Sequence, residues 1–590
     1  MAARDSIMTK PKDTKGTLRR MLSYLREYRP ALAVILIMCA ASNVLALIGP
    51  AYAGNAINEA QAGTGLVDFE KVGYYVRCML IVYLASSLLR ILISVWMTAV
   101  AKRVTRKMRN DVFDKLMKLP VGFFDRNQAG DIISRVSYDV DVIGTCLSSD
   151  VTQILTSVIT VVGSLGMMLF ISPPLTVVVL FTIPAAVLYT ARMRGITQPL
   201  FVKRSKSYGT MNGFVEEMMS GQRTIQAYAY EDMVEERFDG INRSAADAYH
   251  DAEYHAVSIG PTVGFINNIS LGLIAMIGAG LYMYERITLG DISSFVLYSR
   301  KFSGPINEIA NIINELFSAL AASERVFTLL DQEEELADKP GAIALCAPVH
   351  GNVALSHVRF GYEKDRTIIH DLSLNAPAGK MVAIVGHTGA GKTTIINLLM
   401  RFYDVDAGSI CMEGQDIRDC TRKSVRGAYA MVLQDTWVFH GTIFENIAYG
   451  KENATMEEVV EAAKAAHIHG FIMRLPQGYE TVISEDGGNI SKGQKQLLTI
   501  ARAMLYDAQI LILDEATSNV DTETEKRIQK AMRKLMKNRT CFVIAHRLST
   551  VQSADEILVL EHGDVVEQGT HESLMALQGR YYEMYMAQGE

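Results

Sequence analysis

The chain has 590 residues, of which 49% are hydrophobic and 21% are charged, and its formal net charge is −6. This length exceeds what one hydrophobic core normally supports, so we expect more than one domain. The acidic balance and the lack of a basic tail in the sequence argue against a nucleic-acid partner. Nearly all long apolar runs precede residue 320, whereas glycine-punctuated α/β patterning fills the remainder. We therefore expect a membrane part followed by a globular part.

The first part of the chain contains six apolar runs that could each cross a bilayer, which takes roughly 20 residues. These runs cover residues 31–53, 73–101, 151–172, 174–192, 257–284 and 291–319. The last run is the weakest by hydropathy and is included partly because of the family resemblance given below. Residues 1–330 are thus predicted to form an all-α transmembrane domain with six helices. An amphipathic stretch at 17–25 predicts an elbow helix lying at the membrane surface before the first span.

Basic residues predict how the spans are oriented. Lysine and arginine crowd the segment after the second run, whereas the connection between the first and second runs offers only Lys71. Since the basic side of a membrane protein faces the cytoplasm, both termini are predicted to be cytoplasmic. The long connections 102–150 and 193–255 then also lie in the cytoplasm, and their helical periodicity predicts extended helices. The start of the chain lacks the pattern of a removable signal peptide.

Two polar features within the spans have a structural and a functional interpretation. Arg90 lies inside the second run, where it either pairs with another side chain or contacts a substrate. Asn307, Asn311 and Asn314 share one helical face of the sixth run. This stripe either solvates a helix extension below the membrane or lines a water-filled pathway.

The globular part begins after a predicted linker at 331–350, which contains an acidic run and Lys339-Pro340-Gly341. Within 351–590, a buried strand at 381–385 leads into the pattern GxxxxGK[ST], which is typical of a phosphate-binding loop. Backbone N–H groups and the following helix N-terminus favour bound phosphate. Lys392 is predicted to reach the β- and γ-phosphates of ATP, and the Thr393 hydroxyl to bind Mg²⁺. The predicted nucleotide contacts of this loop are Gly386, Thr388, Gly389, Ala390, Gly391, Lys392, Thr393 and Thr394.

Two further strands end in residues suited to ATP hydrolysis. The strand at 510–513 ends in Asp514 and Glu515. Asp514 is predicted to hold Mg²⁺ through water, and Glu515 to orient and deprotonate the attacking water. The strand at 541–545 delivers His546 as a third catalytic candidate. Ligands of open α/β sheets bind at the carboxyl ends of the strands, where all of these residues stand.

Over nearly its whole length the sequence resembles the half-transporters of the ABC exporter family. Gly122-Phe123-Phe124-Asp125 and Gly221-Gln222-Arg223-Thr224 resemble the two cytoplasmic loops whose coupling helices press on nucleotide-binding domains. The resemblance implies that Tyr362 stacks on adenine and that Gln434 senses Mg²⁺ and contacts the membrane domain. It assigns Ser491, Gly493 and Gln494 to the signature, and Asp521 to a loop at the dimer interface. The signature residues would serve ATP bound by a second subunit.

The signature departs from the family pattern Leu-Ser-Gly-Gly-Gln, because Ile490 and Lys492 replace its first and third residues. The sequence also resembles the hydrolysis-competent chains of bacterial heterodimeric multidrug exporters. We therefore expect a heterodimer in which Lys492 faces a partner site that hydrolyses ATP poorly. In the alternative, Lys492 points to solvent and the chain forms a homodimer.

The resemblance implies a multi-pass protein of a bacterial cell membrane that exports hydrophobic or amphipathic substrates, drugs or lipids, by alternating access. A homodimeric lipid or peptide exporter is one alternative. A regulator or channel that gates rather than pumps is another, although the intact Glu515 and His546 argue against it.

Overall fold

The computed structural model describes residues 13–61, 67–345, 348–363, 365–434, 436–484, 489–514, 521–545 and 548–589. The side chains of 307–311, 313, 314, 548, 549, 588 and 589 lie outside this description, and with them the predicted asparagine stripe. The chain divides into two compact units. The first comprises residues up to 119 together with 127–334, and the second comprises 120–126 together with 335–590. The division after Glu334 falls inside the predicted linker.

The first unit is helical. Its α-helices are α1 Thr14–Leu25, α2 Arg29–Ala60, α3 Phe69–Leu116, α5 Ala129–Ser134, α6 Val140–Thr145, α7 Val151–Ile171, α8 Pro173–Ser220, α9 Gln222–Ala227, α10 Glu231–Val257, α11 Ile259–Met283 and α12 Leu289–Leu330; the six-residue α4, Val121–Arg126, belongs to the second unit. Two π-helical turns, Arg135–Asp139 and Cys146–Asp150, join the helices of the first predicted cytoplasmic connection, and a 3₁₀ turn, Arg26–Tyr28, precedes α2.

Five helical segments of the described chain are long and apolar enough to cross a membrane. They are Thr14–Ala60, Phe69–Leu116, Ala129–Ile171, Pro173–Ser220 and Glu231–Met283. The sixth predicted span lies within α12, which is a continuous helix but is not among these five. Its crossing of the membrane therefore stays a prediction.

Helix α12 is joined to α2 by buried hydrogen bonds. The fully buried Tyr298 hydroxyl donates to the carbonyl of Leu47 at 2.5 Å, and Ser294 donates to the carbonyl of Pro50 at 2.8 Å. Near the start of α12 the two backbones almost touch, because a Cβ on Gly290 would lie 2.0 Å from the carbonyl oxygen of Gly54. A larger residue at 290 would separate the helices. These contacts fix α12 against the apolar helices whatever its own hydropathy.

The second unit is built around a mixed sheet. Its strands are β1 Val353–Phe360, β2 Ile369–Ala376, β3 Met381–Gly386, β4 Ala407–Met412, β5 Gln415–Asp416, β6 Tyr429–Val432, β7 Gly441–Thr442, β8 Val482–Ile483, β9 Ile510–Asp514, β10 Thr540–Ile544, β11 Glu556–Glu561 and β12 Asp564–Gly569. The larger sheet runs β5-β4-β1-β2-β12-β11-β3-β10-β9-β6, and β7 pairs with β8. Strands β11, β3, β10, β9 and β6 are mutually parallel.

Helices cover the parallel strands, which are buried on both faces, and so their sequences read as continuous apolar runs. Besides α4, the α-helices described in this unit are α13 Lys392–Leu399, α14 Arg422–Gly427, α15 Ile443–Ala448, α16 Met456–Ala465, α17 His469–Ile472, α18 Lys492–Tyr506, α19 Thr522–Met536, α20 Leu548–Gln552, α21 His571–Leu577 and α22 Arg580–Gly589. This architecture and the helical first unit confirm the predicted fold class, an α/β phosphate-loop domain fused to a helical membrane domain.

Candidate nucleotide site and family

The predicted phosphate-binding loop joins β3 to α13. Gly386, Gly389 and Gly391 have φ angles of 157°, 85° and 103°, so the two last glycines occupy the left-handed region that other residues rarely adopt. A Cβ on Gly386 would lie 2.4 Å from the carbonyl oxygen of Leu560 on the neighbouring strand. The glycines therefore allow the backbone to curl tightly between strand and helix, which is the shape that presents N–H groups to phosphate.

The ammonium group of Lys392 spans this loop. Its Nζ donates to the carbonyl oxygens of Gly386 at 2.6 Å and His387 at 3.0 Å. Burial lowers the pKa of the Lys392 ammonium, and the negative charge of Asp514 opposes that shift. The two groups that accept from the Lys392 ammonium are neutral carbonyls, so they do not cancel its positive charge. That charge can therefore attract a phosphate group.

Asp514 and Gln434 stand at the same edge of the sheet as the loop. The register pairs Asp514 with Ile544 on β10, and Ile544 with Ile384 on β3, two residues before the loop. On the other side of β9, Val432 pairs with Leu513, so that Gln434 follows the carboxyl end of β6. Gln434 is exposed. The tertiary structure thus brings the loop, Asp514 and Gln434 to one edge.

Tyr362 belongs to a cluster of three aromatic rings beside α13. Its ring is edge-on to Phe360 and Tyr403, with centroid distances of 5.1 and 5.0 Å. Its hydroxyl donates to Thr394 at 3.3 Å and accepts from Asn397 at 3.0 Å. With 43% of the side chain exposed, the ring is fixed in orientation and still open to a flat ligand. This arrangement suits the predicted stacking on adenine.

The signature residues begin helix α18. Ser491 is its N-cap and forms a capping box with Gln494, whose side chain accepts from the Ser491 N–H at 2.8 Å. Gly493 is buried, whereas Lys492 is exposed. The free N–H groups of this first turn favour an anion. Lys492 is predicted either to face ATP held by another subunit or to point to solvent. Its exposure in a single chain fits both alternatives.

Asp521 is likewise a helix cap. Its carboxylate accepts from the Thr524 N–H at 2.8 Å at the start of α19, and this backbone hydrogen bond lowers the pKa of Asp521. Glu515 and His546 lie outside the described residues, so their catalytic roles remain predictions. Within the description, the chemistry of the donors fits Mg²⁺ and ATP: a hydroxyl at Thr393, a carboxylate at Asp514 and an amide at Gln434 are hard oxygen ligands.

One contact of this unit could not be read from the sequence. The Tyr403 hydroxyl donates to Asp125 of α4 at 2.6 Å, and a Cβ on Gly122 would lie 2.8 Å from the same hydroxyl. Burial and the hydrogen bond to Asp125 raise the pKa of Tyr403. Because Tyr403 also contacts Tyr362, one residue connects the predicted adenine platform with α4, the first predicted coupling helix. The only sequence signal was an aromatic pair after α13.

Comparison with known families gives two matches along the chain. Residues 31–306 match the family described as ABC transporter transmembrane region, and residues 369–518 match the family described as ABC transporter. The two matched segments fall in the helical unit and in the sheet-containing unit, respectively. The fused order of the two domains is therefore the one predicted.

Individual proteins agree with the family matches. The chain is 41% identical over 582 residues to the uncharacterized ABC transporter ATP-binding protein YfiC of Bacillus subtilis (strain 168), covering 98% of this chain and 96% of that protein. It is 43% identical over 526 residues to a fatty acid ABC transporter ATP-binding/permease protein of Mycobacterium bovis, covering 88% and 82%. The structure of a bacterial Atm1-family ABC exporter with ATP bound superposes with a TM-score of 0.74 at 31% identity, covering 98% and 99%. The predicted ATPase activity is confirmed at this level, and the chain belongs to the ABC exporter family, whose members couple ATP hydrolysis to transport across a membrane.

Proposed function

We propose that this chain is one half of a dimeric exporter that moves lipids or other hydrophobic or amphipathic compounds, drugs included, out of the cytoplasm by alternating access. The observation that carries the proposal is the presence of two features in one chain. Five helical segments are long and apolar enough to cross a membrane, and Lys392 donates to two carbonyl oxygens of the glycine-rich loop. The Mycobacterium bovis relative is named for fatty acids, which supports an amphipathic substrate. The protein would lie in a bacterial cell membrane with both termini and the ATP-binding domain in the cytoplasm.

The site residues would divide the hydrolysis among them. The loop N–H groups and Lys392 bind and neutralise the phosphates, while Tyr362 orients the nucleotide by stacking on its base. Thr393, Asp514 and Gln434 would hold Mg²⁺, which supplies charge neutralisation at the β- and γ-phosphates. Glu515 would take the proton of the attacking water, and His546 would contact the γ-phosphate end of the site.

We also propose that the working unit is a heterodimer with two unequal ATP sites. A lysine at 492 places a long cation where a glycine would allow close approach of backbone N–H groups to phosphate. Its exposure at the start of α18 leaves it able to meet a nucleotide held by another chain. The partner would then lack the equivalent of Glu515 and would carry an unaltered signature.

The first experiment tests export directly. The full chain is reconstituted in proteoliposomes, alone and with a co-encoded half-transporter, and ATP-dependent movement of a fluorescent lipid is measured. We expect movement with both chains present, and its loss in the variant Lys392→Ala. Lys451→Ala, which removes a surface lysine paired with Glu458, is the matched control and should leave transport unchanged.

Two outcomes would contradict these proposals. A substrate-stimulated ATPase from the purified chain alone would contradict the heterodimer and favour a homodimeric exporter. An ATP-gated ion current across the reconstituted membrane, without lipid movement, would contradict export and favour the channel alternative.

A further inference from the structure

A cavity of about 330 Å³ lies among helices α8, α11 and α12. Its apolar lining includes Ile183 and Leu271. Its polar lining comes from six side chains: Asn267, Asn268, Ser270, Ser299, Arg300 and Ser303. The cavity therefore offers hydrogen-bonding groups and one full positive charge beside an apolar wall.

The cavity lies deep in the helices rather than at their ends. Helix α8 begins at Pro173 and α12 at Leu289, and α11 ends at Met283, only a short connection before α12. At a rise of 1.5 Å per residue, Arg300 stands about 16 Å along α12 from its start. The hydrocarbon layer is about 30 Å thick, so this position would be near the middle of a bilayer that α12 crosses as predicted.

Arg300 has no acidic partner among the described residues. Lys301, next in the chain, likewise forms no ion pair there; its ammonium lies 6.0 Å from the centre of the Tyr83 ring. Arg90, on the same helix α3 as Tyr83, also lacks an ion pair in the described chain. Three cations are thus gathered at membrane depth without a described counter-charge.

Elsewhere in the same unit a buried charge has an opposite charge beside it. Asp139, with 3% of its side chain exposed, accepts two hydrogen bonds from Arg325 at 2.9 and 2.5 Å. Uncompensated charge facing lipid is costly, so membrane arginines normally face water or an opposite charge. Arg300 is exposed towards the cavity, where a water-soluble or head-group anion could reach it.

From these observations we infer that the cavity binds the anionic head group, a carboxylate or a phosphate, of an amphipathic substrate. Arg300 receives the negative charge, since a guanidinium offers paired N–H donors to either oxyanion. The amides of Asn267 and Asn268 add neutral hydrogen-bond donors, and Ile183 and Leu271 contact the start of the acyl chain. The inference rests on the proposed export function and specifies its substrate class.

The test compares substrates that differ only in head-group charge. The full-length transporter, with its partner half where one is required, is reconstituted in phosphatidylcholine vesicles. Stimulated ATPase and ATP-dependent translocation are measured with oleate, dioleoyl phosphatidic acid, oleyl alcohol and oleylamine. We expect the anions to act at concentrations at least tenfold lower than the alcohol, and the ratio of oleate to phosphatidic acid to identify the preferred oxyanion.

Variants of Arg300 test whether the preference for anionic head groups arises in the cavity. Arg300→Gln should raise the half-stimulating concentration of the anion about tenfold and that of oleyl alcohol less than twofold, whereas Arg300→Lys should stay within about threefold of the parent. Arg77→Gln is the matched control on α3, because Arg77 bonds to the Gly73 carbonyl in its own helix; it should change neither value.

Four results would overturn the inference. Equal potency of oleate and oleyl alcohol in the parent protein would remove the charge preference. Equal weakening of both by Arg300→Gln would make Arg300 structural. Efficient transport of oleyl alcohol without an anion advantage would leave the export proposal standing and reject this one, whereas failure to move any amphiphile would reject both.

Discussion

Arginine side chains are held differently in the ATP-binding unit and in the membrane helices. Arg401, with 3% of its side chain exposed, donates to Asp404 at 3.0 Å and to the carbonyls of Ile417 and Cys420, each at 2.7 Å. In the membrane unit, Arg90 and Arg300 have no acidic partner among the described residues. A buried charge that bonds to a carboxylate and to backbone carbonyls holds a fold together. A charge left without a counter-ion at membrane depth remains available to a ligand.

In the ATP-binding unit, paired arginines also hold the predicted linker in place. Arg426 bonds Glu335, and Arg422 bonds Asp404 at 2.8 Å and lies 3.5 Å from Asp338. Glu335 and Asp338 belong to the stretch that the sequence presented as a plain linker. Their ion pairs fasten the start of the second unit to α14, so that the linker is part of the folded domain from Glu335 onwards.

The largest expected effect tests a charge used for chemistry. Glu515→Gln should reduce steady-state ATPase at least tenfold, because general-base catalysis typically contributes ~10²–10⁴ in rate. ATP binding should be retained, and the nucleotide-binding domains should be trapped closed. Turnover is measured with a coupled assay, and binding with a fluorescent ATP analogue. Near-normal turnover would refute the role of Glu515.

The next prediction compares the effect on stability of replacing a paired arginine, Arg401, and an arginine without a described acidic partner, Arg90. Arg401→Met should lower the apparent melting temperature of the purified protein by about 10 °C, since losing one partner of a buried network costs about 3–5 kcal/mol. Arg90→Leu should leave it unchanged or raise it, because a central membrane arginine costs about 2.5–3.5 kcal/mol on insertion scales.

Arg527→Met is the surface control for that pair, as its i,i+4 ion pair with Glu523 is exposed and should contribute little. Equal destabilisation by Arg90→Leu and Arg401→Met would erase the proposed difference and make Arg90 a structural residue.

A smaller effect tests the aromatic cluster, where binding depends on shape rather than charge. Tyr362→Ala should weaken ATP and GTP similarly, by roughly 1–3 kcal/mol if stacking on bases sets the scale. Tyr362→Phe keeps the ring and loses only the hydroxyl bonds to Thr394 and Asn397, so its affinity should stay close to that of the parent. Titration calorimetry gives both values. Unchanged affinity in Tyr362→Ala would rule out stacking.

The smallest effect concerns the contact that unites α4 with the ATP-binding unit. Tyr403→Phe removes the hydrogen bond to Asp125, worth about 1 kcal/mol, and should reduce substrate-stimulated ATPase about two- to fivefold without changing ATP affinity. Tyr506→Phe, which removes a hydroxyl bond to the Gly427 carbonyl, is the control and should change neither quantity. A loss of ATP affinity in Tyr403→Phe would instead make the residue part of the adenine platform.

The sequence by itself determined the two domain types and the phosphate-binding loop. Apolar runs of membrane length and the GxxxxGK[ST] pattern are local signals, so neighbouring residues suffice to predict them. The end of β9 and the position of Asp514 also followed from a local pattern, a short apolar run ending in acidic residues.

Tertiary structure decided what depends on residues distant in the chain. Tyr403 meets Asp125 across 278 positions, and Arg426 meets Glu335 across 91, and no local pattern encodes either pairing. The cavity at Arg300 exists only because α8, α11 and α12 converge there. The sequence shows that an arginine lies within an apolar run. Whether that arginine has an acidic partner depends on which side chains the packed helices bring close to it.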